Sequence, residues 1–258
     1  MAGIQVAVLC LLLAAQLQLV APRALRLQVR DHSRIVGGSE ASVEDFPWTL
    51  ALLYAGVQSC GASIIGSQWA LTAAHCFVFF PQVEVYSVRA GSSSRGSGGT
   101  VLYLAELYEH ELHDDTSGDY DITVIRTADP FPLGTNVAVA SLPEDGYDPP
   151  AGLAVTVTGW GDTETGDTPD TLRKVDISVM DRSACDGISP IGREVTPRML
   201  CAGEAGKSVC YGDSGSPLVS GSTQVGIASW GSNDCEAAGA VYVNVGNLRS
   251  WITSISGV

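Results

Sequence analysis

Basic residues are scarce in this 258-residue chain: Lys and Arg total 14 against 28 Asp and Glu, a formal net charge of −14. Nucleic-acid binding draws its affinity from Lys and Arg that neutralise phosphates, so that class of function is disfavoured. Histidine is scarcer still, with four residues, three of them after Arg34. No Cys-x-x-Cys pair accompanies them, which leaves no ligand set spaced for zinc. The loop after Gly91 reads SSSRGSGG and lacks the carboxylates that calcium would need. No metal and no cofactor are therefore expected. Charged residues make up only 16% and hydrophobic ones 45%, which excludes a disordered chain and implies a packed core. There is no repeat of solenoid period and no long linker.

The single long apolar run is Val6 to Val20, VAVLCLLLAAQLQLV. A membrane anchor needs about 20 apolar residues and a secretory signal about 7–15, so length and N-terminal position favour a signal. We assign it to residues 1–21, with an end between 15 and 24. Ala15, Ala21 and Ala24 can each precede the cut, although Pro22 disfavours the cut after Ala21. Removing this segment takes away Cys10, one of seven cysteines, and leaves an even six. An even set fits disulfides in an oxidising, extracellular setting. Residues 22–34 end in Arg30-Asp31-His32-Ser33-Arg34 and are followed by Ile35-Val36-Gly37-Gly38. On its own this stretch reads either as a linker or as a peptide cut after Arg34.

From Ile35 onward, short β-branched runs alternate with Gly, Ser, Pro and Asp clusters. The clearest runs are Cys60–Ile65, Trp69–Ala73, Val83–Ala90, Ala151–Gly159, Thr223–Trp230 and Ala240–Val245. Frequent turns and few helical periods predict an all-β sandwich or barrel. One helix is predicted near the C-terminus, because Leu248, Trp251, Ile252 and Ile255 share one helical face after a cap at Asn247. The SSSRGSGG stretch is expected to be a surface hairpin loop.

Three segments carry chemistry: Leu71-Thr72-Ala73-Ala74-His75-Cys76, Asp119-Tyr120-Asp121-Ile122-Thr123-Val124, and Gly212-Asp213-Ser214-Gly215-Ser216-Pro217. Taken singly, His75 could be a packed structural residue and Asp121 a turn cap. The order His, Asp, Ser, together with the IVGG start, Gly159-Trp160-Gly161 and Ser229-Trp230-Gly231, resembles the trypsin-like (chymotrypsin-fold) serine peptidases over the whole of Ile35–Val258. The resemblance implies two six-stranded antiparallel β-barrels with the active site between them and a C-terminal helix.

It also implies a mechanism. Ser214 attacks the scissile carbonyl, His75 takes its proton, and Asp121 holds the imidazole, with Ser229 bonded to that carboxylate. The N–H groups of Gly212 and Ser214 form the oxyanion hole. Cleavage after Arg34 frees an ammonium on Ile35 that pairs with Asp213, so residues 22–34 become an activation peptide and 35–258 the peptidase domain. A trypsin-like protease would make that cut. Pairing carried over from the family joins Cys60 to Cys76, Cys185 to Cys201 and Cys210 to Cys235. Other expected partners are protein or peptide substrates and protein protease inhibitors, with no nucleic acid and no membrane, for a monomer acting outside the cell.

The family's pocket base falls on Ser208, where trypsins carry Asp. A neutral Ser offers no counter-charge to a buried Lys or Arg. Gly231 leaves one wall open, and Ala240, where many relatives have Gly, narrows the slot by a methyl. Ser229 and Trp230 line it and Tyr211 forms a lip, while Glu236 could reach toward it. Cleavage after large apolar residues (Phe, Tyr, Leu) is the reading adopted. An elastase-like preference, or a catalytically weakened binding homologue, is the alternative. Ser216 stands where the family usually has Gly and would disturb the backbone if a glycine-only conformation were needed there. His110 and His113, set among acids, are expected to be solvated. With Arg23, Arg26, Arg30 and Arg34 removed against Asp31 alone, the segment from Ile35 has 10 basic and 27 acidic residues, a charge of −17.

Overall fold

The hairpin Thr49–Tyr54 (β2) to Val57–Ile64 (β3) sets the pattern of the first half. Ala55 and Gly56 both have positive φ, 48° and 83°, the left-handed pair that a two-residue hairpin turn demands. The structure, a computed structural model, describes residues 37–78, 82–163, 167–188, 193–232, 235 and 239–258. Arg34, Ile35 and Glu236, and with them the expected signal and activation peptides, lie outside the described residues.

Strands β2, β3, Trp69–Thr72 (β4), Tyr86–Ala90 (β5), Thr100–Glu109 (β6) and Thr123–Thr127 (β7) close an antiparallel barrel in the order β2-β3-β4-β7-β6-β5. Closure removes exposed strand edges. Its core holds Leu50, Leu52, Ile64, Val88, Leu104 and Ile125. The SSSRGSGG loop joins β5 to β6 as expected, and Arg89 donates to the carbonyls of Arg95, Gly96 and Gly98 within or beside it. Where the sequence suggested one strand over Val83–Ala90, a 3₁₀ turn takes Val83–Val85 and the strand begins at Tyr86.

The second barrel is formed by Ala154–Gly159 (β8), Arg173–Val179 (β9), Met199–Gly203 (β10), Pro217–Ser220 (β11), Thr223–Gly231 (β12) and Ala240–Asn244 (β13). The ring runs β9-β10-β13-β12-β11-β8 and closes through β8–β9, while the short Ser39–Glu40 (β1) adds to β9. Its core holds Val157, Val175, Leu200, Leu218 and Tyr242.

A third core lies between the barrels: Leu71 and Val124 of the first and Ile227 and Val243 of the second meet Ile122, Leu248 and Ile252. The helix Arg249–Ser256 (α1) packs Ile252 into this seam, with Trp251 and Ile255 beside it. Its cap differs from expectation. Leu248 holds the N-cap position with no side-chain bond, while Asn247 donates its backbone N–H to the Asn244 side chain. Gly257 ends the helix at φ 71°, the left-handed cap that glycine adopts without strain. Thr49–Thr158 and Ser63–Gln224 hydrogen bonds, at 2.8 and 2.7 Å, also link the barrels. Among the described residues no helix is long and apolar enough to cross a membrane.

Candidate active site

The seam between the barrels is also where the sequence-predicted groups converge. His75 rides on a one-turn 3₁₀ segment, Ala74–Cys76, directly after β4. The Cys60–Cys76 disulfide ties that turn back to β3. Because both thiols flanking His75 are oxidised, no thiolate is left beside it to hold a metal. Cys185–Cys201 and Cys210–Cys235 are formed as well, so all three expected pairs are present.

Asp121 comes from the segment leading into β7 and is buried. Its Oδ1 accepts the backbone N–H of His75 at 2.9 Å, and its Oδ2 lies 2.7 Å from His75 Nδ1. Ser229 Oγ, from β12 of the second barrel, donates to the same Oδ2 at 2.5 Å. Three hydrogen bonds to one buried carboxylate keep it ionised. Burial pushes the Asp121 pKa up, but the His75 charge and these bonds outweigh it, and the net direction is down.

The segment before Asp121 is held by residues that sequence reasoning passed over. Asp119 takes a bidentate pair from Arg198 and a 3.0 Å bond from Thr196, both just before β10. Tyr120 sits at φ 53°, a left-handed conformation that a non-glycine residue holds only when its surroundings enforce it. Arg198 lies 4.7 Å over its ring on one side, and His110 stacks on it at 4.4 Å. The signal was visible as the acid two residues before Asp121, but its partner lies 79 residues away. His110 is thus not solvated: it is 6% exposed, between Tyr120 and Trp251.

Ser214 sits on the tight loop before β11, and its position is fixed through backbone contacts to the first barrel. Gly61 N–H donates to Ser214 O at 2.7 Å, and Gly61 adjoins the disulfide that braces His75. Gly215 must be glycine: φ is 80°, and a Cβ would fall 2.4 Å from Gly61 O. Among the described residues no hydrogen bond joins the Ser214 hydroxyl to His75, as is common before substrate aligns the two groups. Gly212, the other expected oxyanion donor, has φ 91°, and its carbonyl accepts from Gln58 Nε2 at 2.9 Å.

Ser216 does not require the special conformation that its usual Gly might suggest, since its φ is not positive. Its hydroxyl is buried against Gly61 and Gly159, has no hydrogen-bond partner among the described residues, and would be crowded by a Cβ on either glycine. Asp213 is fully buried and accepts from Gly161 N–H at 2.8 Å and Cys210 N–H at 3.0 Å. Gly159 and Gly161 flank it so closely that a Cβ would fall 2.2 and 2.4 Å from the carboxyl, which explains both glycines around Trp160. Burial, opposed by those two backbone bonds, raises the Asp213 pKa to about 6. Among the described residues no Lys or Arg pairs with it.

Ser208, the residue expected at the pocket base, is buried. Gly231 and Ala240 face each other across β12 and β13, and a Cβ on Gly231 would sit 3.4 Å from that of Ala240. Ser229 and Trp230 precede Gly231 on β12, and Tyr211, the expected lip, is exposed.

For His75, burial pulls the pKa down. The Asp121 charge and hydrogen bond push it up more strongly, Asp115 adds to them, Arg193 opposes, and the net direction is up. The acid limb of kcat/KM is therefore expected to have its midpoint above 6.5, the usual histidine value. A pH–rate profile flat down to pH 5 would contradict this.

Two six-stranded antiparallel barrels with a hydrogen-bonded His–Asp pair at their seam define a class, the chymotrypsin-fold serine endopeptidases. Residues 35–252 match the family model described as Trypsin, and the chain belongs to that family. Among its relatives, Trypsin alpha-4 of Lucilia cuprina is 39% identical over 225 residues, covering 86% of this chain and 87% of that protein. Trypsin alpha of Drosophila melanogaster is 37% identical over 226 residues, with the same coverage. Among solved structures, mouse neuropsin, a serine protease expressed in the limbic system, superposes with a TM-score of 0.77 at 30% identity, covering 84% of this chain and 97% of that one. An inactivated protease paralogue of the scabies mite gives a TM-score of 0.80 at 28% identity, covering 86% and 98%.

Proposed function

We propose that the chain is a secreted serine endopeptidase, made as a precursor and activated by cleavage after Arg34, that hydrolyses peptide bonds after large apolar residues. The observation that carries the catalytic part is the bonded set His75–Asp121–Ser229 beside a Ser214 loop anchored on Gly61. In this reading Ser214 Oγ attacks the substrate carbonyl while His75 Nε2 takes its proton. Asp121, bonded at Nδ1, keeps Nε2 as the acceptor and stabilises the imidazolium. The N–H groups of Gly212 and Ser214 take the developing oxyanion. His75 then protonates the leaving amine, and water releases the acyl group from Ser214 by the same steps in reverse.

Two observations support the precursor reading. The family match begins at residue 35, directly after Arg34. Asp213 is a fully buried carboxylate set next to the nucleophile, which an ammonium on Ile35 would neutralise. Residues 1–21 would then be the signal and 22–34 the activation peptide, with a trypsin-like activator and protein inhibitors as partners of a monomeric enzyme.

The relatives named trypsins suggest cleavage after Lys or Arg. Ser208 argues otherwise, because a hydroxyl at the pocket base leaves a buried guanidinium or ammonium without a counter-charge. The Ala240 methyl opposite Gly231 narrows the slot and favours Leu or Met alongside Phe and Tyr. Digestion of a peptide library by the activated enzyme tests this, with cuts expected after Phe, Tyr and Leu. Dominant cuts after Lys or Arg overturn the pocket argument, and cuts confined to Ala or Val favour the elastase-like alternative. The scabies mite paralogue shows that the fold can persist in an inactivated protein. An organophosphate separates that case: no covalent adduct on Ser214 after cleavage at Arg34 would sink the enzyme reading.

A further inference from the structure

The loop between β6 and β7 delivers Asp121 to His75, and the residues just before Asp121 are gripped from the other barrel. Asp119 Oδ1 accepts from Arg198 Nε at 2.9 Å, from Thr196 Oγ1 at 3.0 Å and from the Tyr120 N–H at 3.0 Å. Its Oδ2 accepts from Nε of the same arginine at 3.1 Å and from its Nη2. Arg198 is itself anchored, because its carbonyl accepts the Asn244 N–H of β13 at 2.7 Å. Arg193, on the same segment before β10, donates to the carbonyls of Asp115 and Thr116 at 2.8 and 3.0 Å. On the other flank of the loop the His113 side chain is not solvated as expected: it is 4% exposed, with Nδ1 2.8 Å from Glu109 Oε1.

We propose that Arg198 is a positioning residue of the catalytic pair, acting across the seam through Asp119 and Tyr120 to aim the Asp121 carboxylate at His75. Tyr120 is the link between the gripped acid and the catalytic one, and its φ is 53°. A residue with a Cβ relaxes from that region to negative φ unless its surroundings hold it. Arg198 holds it in two ways. Its planar fork fixes the orientation of Asp119 as well as its distance, which a single hydrogen bond would not do. Its guanidinium also lies 4.7 Å over the Tyr120 ring, while His110 stacks on that ring at 4.4 Å.

A turn about φ of Tyr120 would swing the Asp121 side chain directly. Both of its oxygens are committed to His75, Oδ1 to the backbone N–H at 2.9 Å and Oδ2 to Nδ1 at 2.7 Å, so neither bond tolerates a swing. Misplacing a catalytic group by about 1 Å can cost about 10²-fold. The grip is ionic across the working range: burial pushes the Asp119 carboxyl up, but the bonds from Arg198 and Thr196 outweigh it and hold it below its ordinary value. The catalytic role rests on His75 being the general base, whereas the placement of Asp121 against His75 does not.

The test is steady-state kinetics across pH, with NMR of the His75 ring, on the full chain cut after Arg34, in the parent, Arg198→Leu and Arg198→Lys. Arg198→Leu is expected to lower kcat by about 10- to 100-fold with KM within about threefold. Arg198→Lys keeps the charge but not the fork, and is expected to lose about three- to tenfold. The His75 midpoint gives a second reading, because the charges acting on it are Asp121, Asp115 and Arg193. Deleting a nearby cation would by itself raise that midpoint, whereas an Asp121 displaced from His75 lowers it toward 6.5. A fall of about 0.5 unit is expected in Arg198→Leu. A kcat within twofold of the parent, or a midpoint that stays or rises, overturns the proposal, even if thermal unfolding shows lost stability. Should Arg198→Leu not fold, Arg198→Lys decides by the same two readings. If His75 is not the base, its NMR midpoint still falls while the rate profile does not follow it, which separates the two failures.

Discussion

Replacing Ser214 with Ala is expected to lower kcat/KM by about 10⁴-fold or more, with the fold intact. The fold should survive because the Ser214 hydroxyl makes no hydrogen bond among the described residues, whereas its backbone bond to Gly61 is unaffected by the side chain. Asp121→Asn should cost about 10⁴-fold for a different reason. An amide set into this site turns an NH₂ group toward one of the two His75 donors, which favours the tautomer that cannot take the Ser214 proton. It also removes the charge that raises the His75 pKa. A loss of about 10⁴ corresponds to about 5.4 kcal/mol of transition-state stabilisation. Steady-state kinetics on a cleaved peptide, with thermal unfolding as the control, checks both variants. Activity of Ser214→Ala within tenfold of the parent would remove Ser214 from the mechanism.

Asp213→Asn is expected to act with opposite signs before and after cleavage at Arg34. In the uncut chain Asp213 is fully buried and its pKa is raised from 3.8 to about 6. The folded state thus binds a proton that the unfolded state has released, and stability falls as pH rises through that window. By neutral pH the penalty is on the order of 3 kcal/mol. The amide avoids it but gives up one of the two accepted backbone bonds, so a net gain of about 1–2 kcal/mol is expected. After cleavage the Ile35 ammonium would pair with Asp213, and removing one member of a buried pair costs about 3–5 kcal/mol. The adjoining oxyanion donors would lose their support, with a fall in kcat of at least about 10²–10³-fold. Urea unfolding of the uncuttable Arg34→Gln chain at pH 5 and pH 7.5, with and without Asp213→Asn, measures the first effect. Equal destabilisation of cut and uncut chains by Asp213→Asn would refute the switch.

Parts of both barrels were legible in the residues. β3, β4 and β12 fall close to the apolar runs, since a strand buried on one or both faces writes its period directly into the sequence. The helix at Arg249–Ser256 showed its apolar face, but not its start: the N-cap position falls on Leu248, one residue after Asn247. The three chemical segments were readable because their spacing is local and their residue types are few. Ser216 was readable as a departure, but whether it mattered depended on a backbone angle.

The histidines mark the boundary between the two kinds of knowledge. By itself the amino-acid sequence determined an acidic, cysteine-paired, all-β chain in which Arg and Lys are too few for a polyanion partner and His, Asp and Ser occur in a set order. Where His110 and His113 went was decided only in three dimensions. A histidine flanked by acids has the same local composition whether its ring faces water or the underside of Asp121. Burial is a property of what the rest of the chain packs over it, here Tyr120, Trp251 and the turn at 109–115. The tertiary structure likewise left Asp213 as a buried carboxylate without a Lys or Arg partner among the described residues. The physical reason is packing: a glycine-lined, closed interior leaves no room for a long basic side chain, so in the proposed reading only the ammonium that cleavage would free on Ile35 could pair with it.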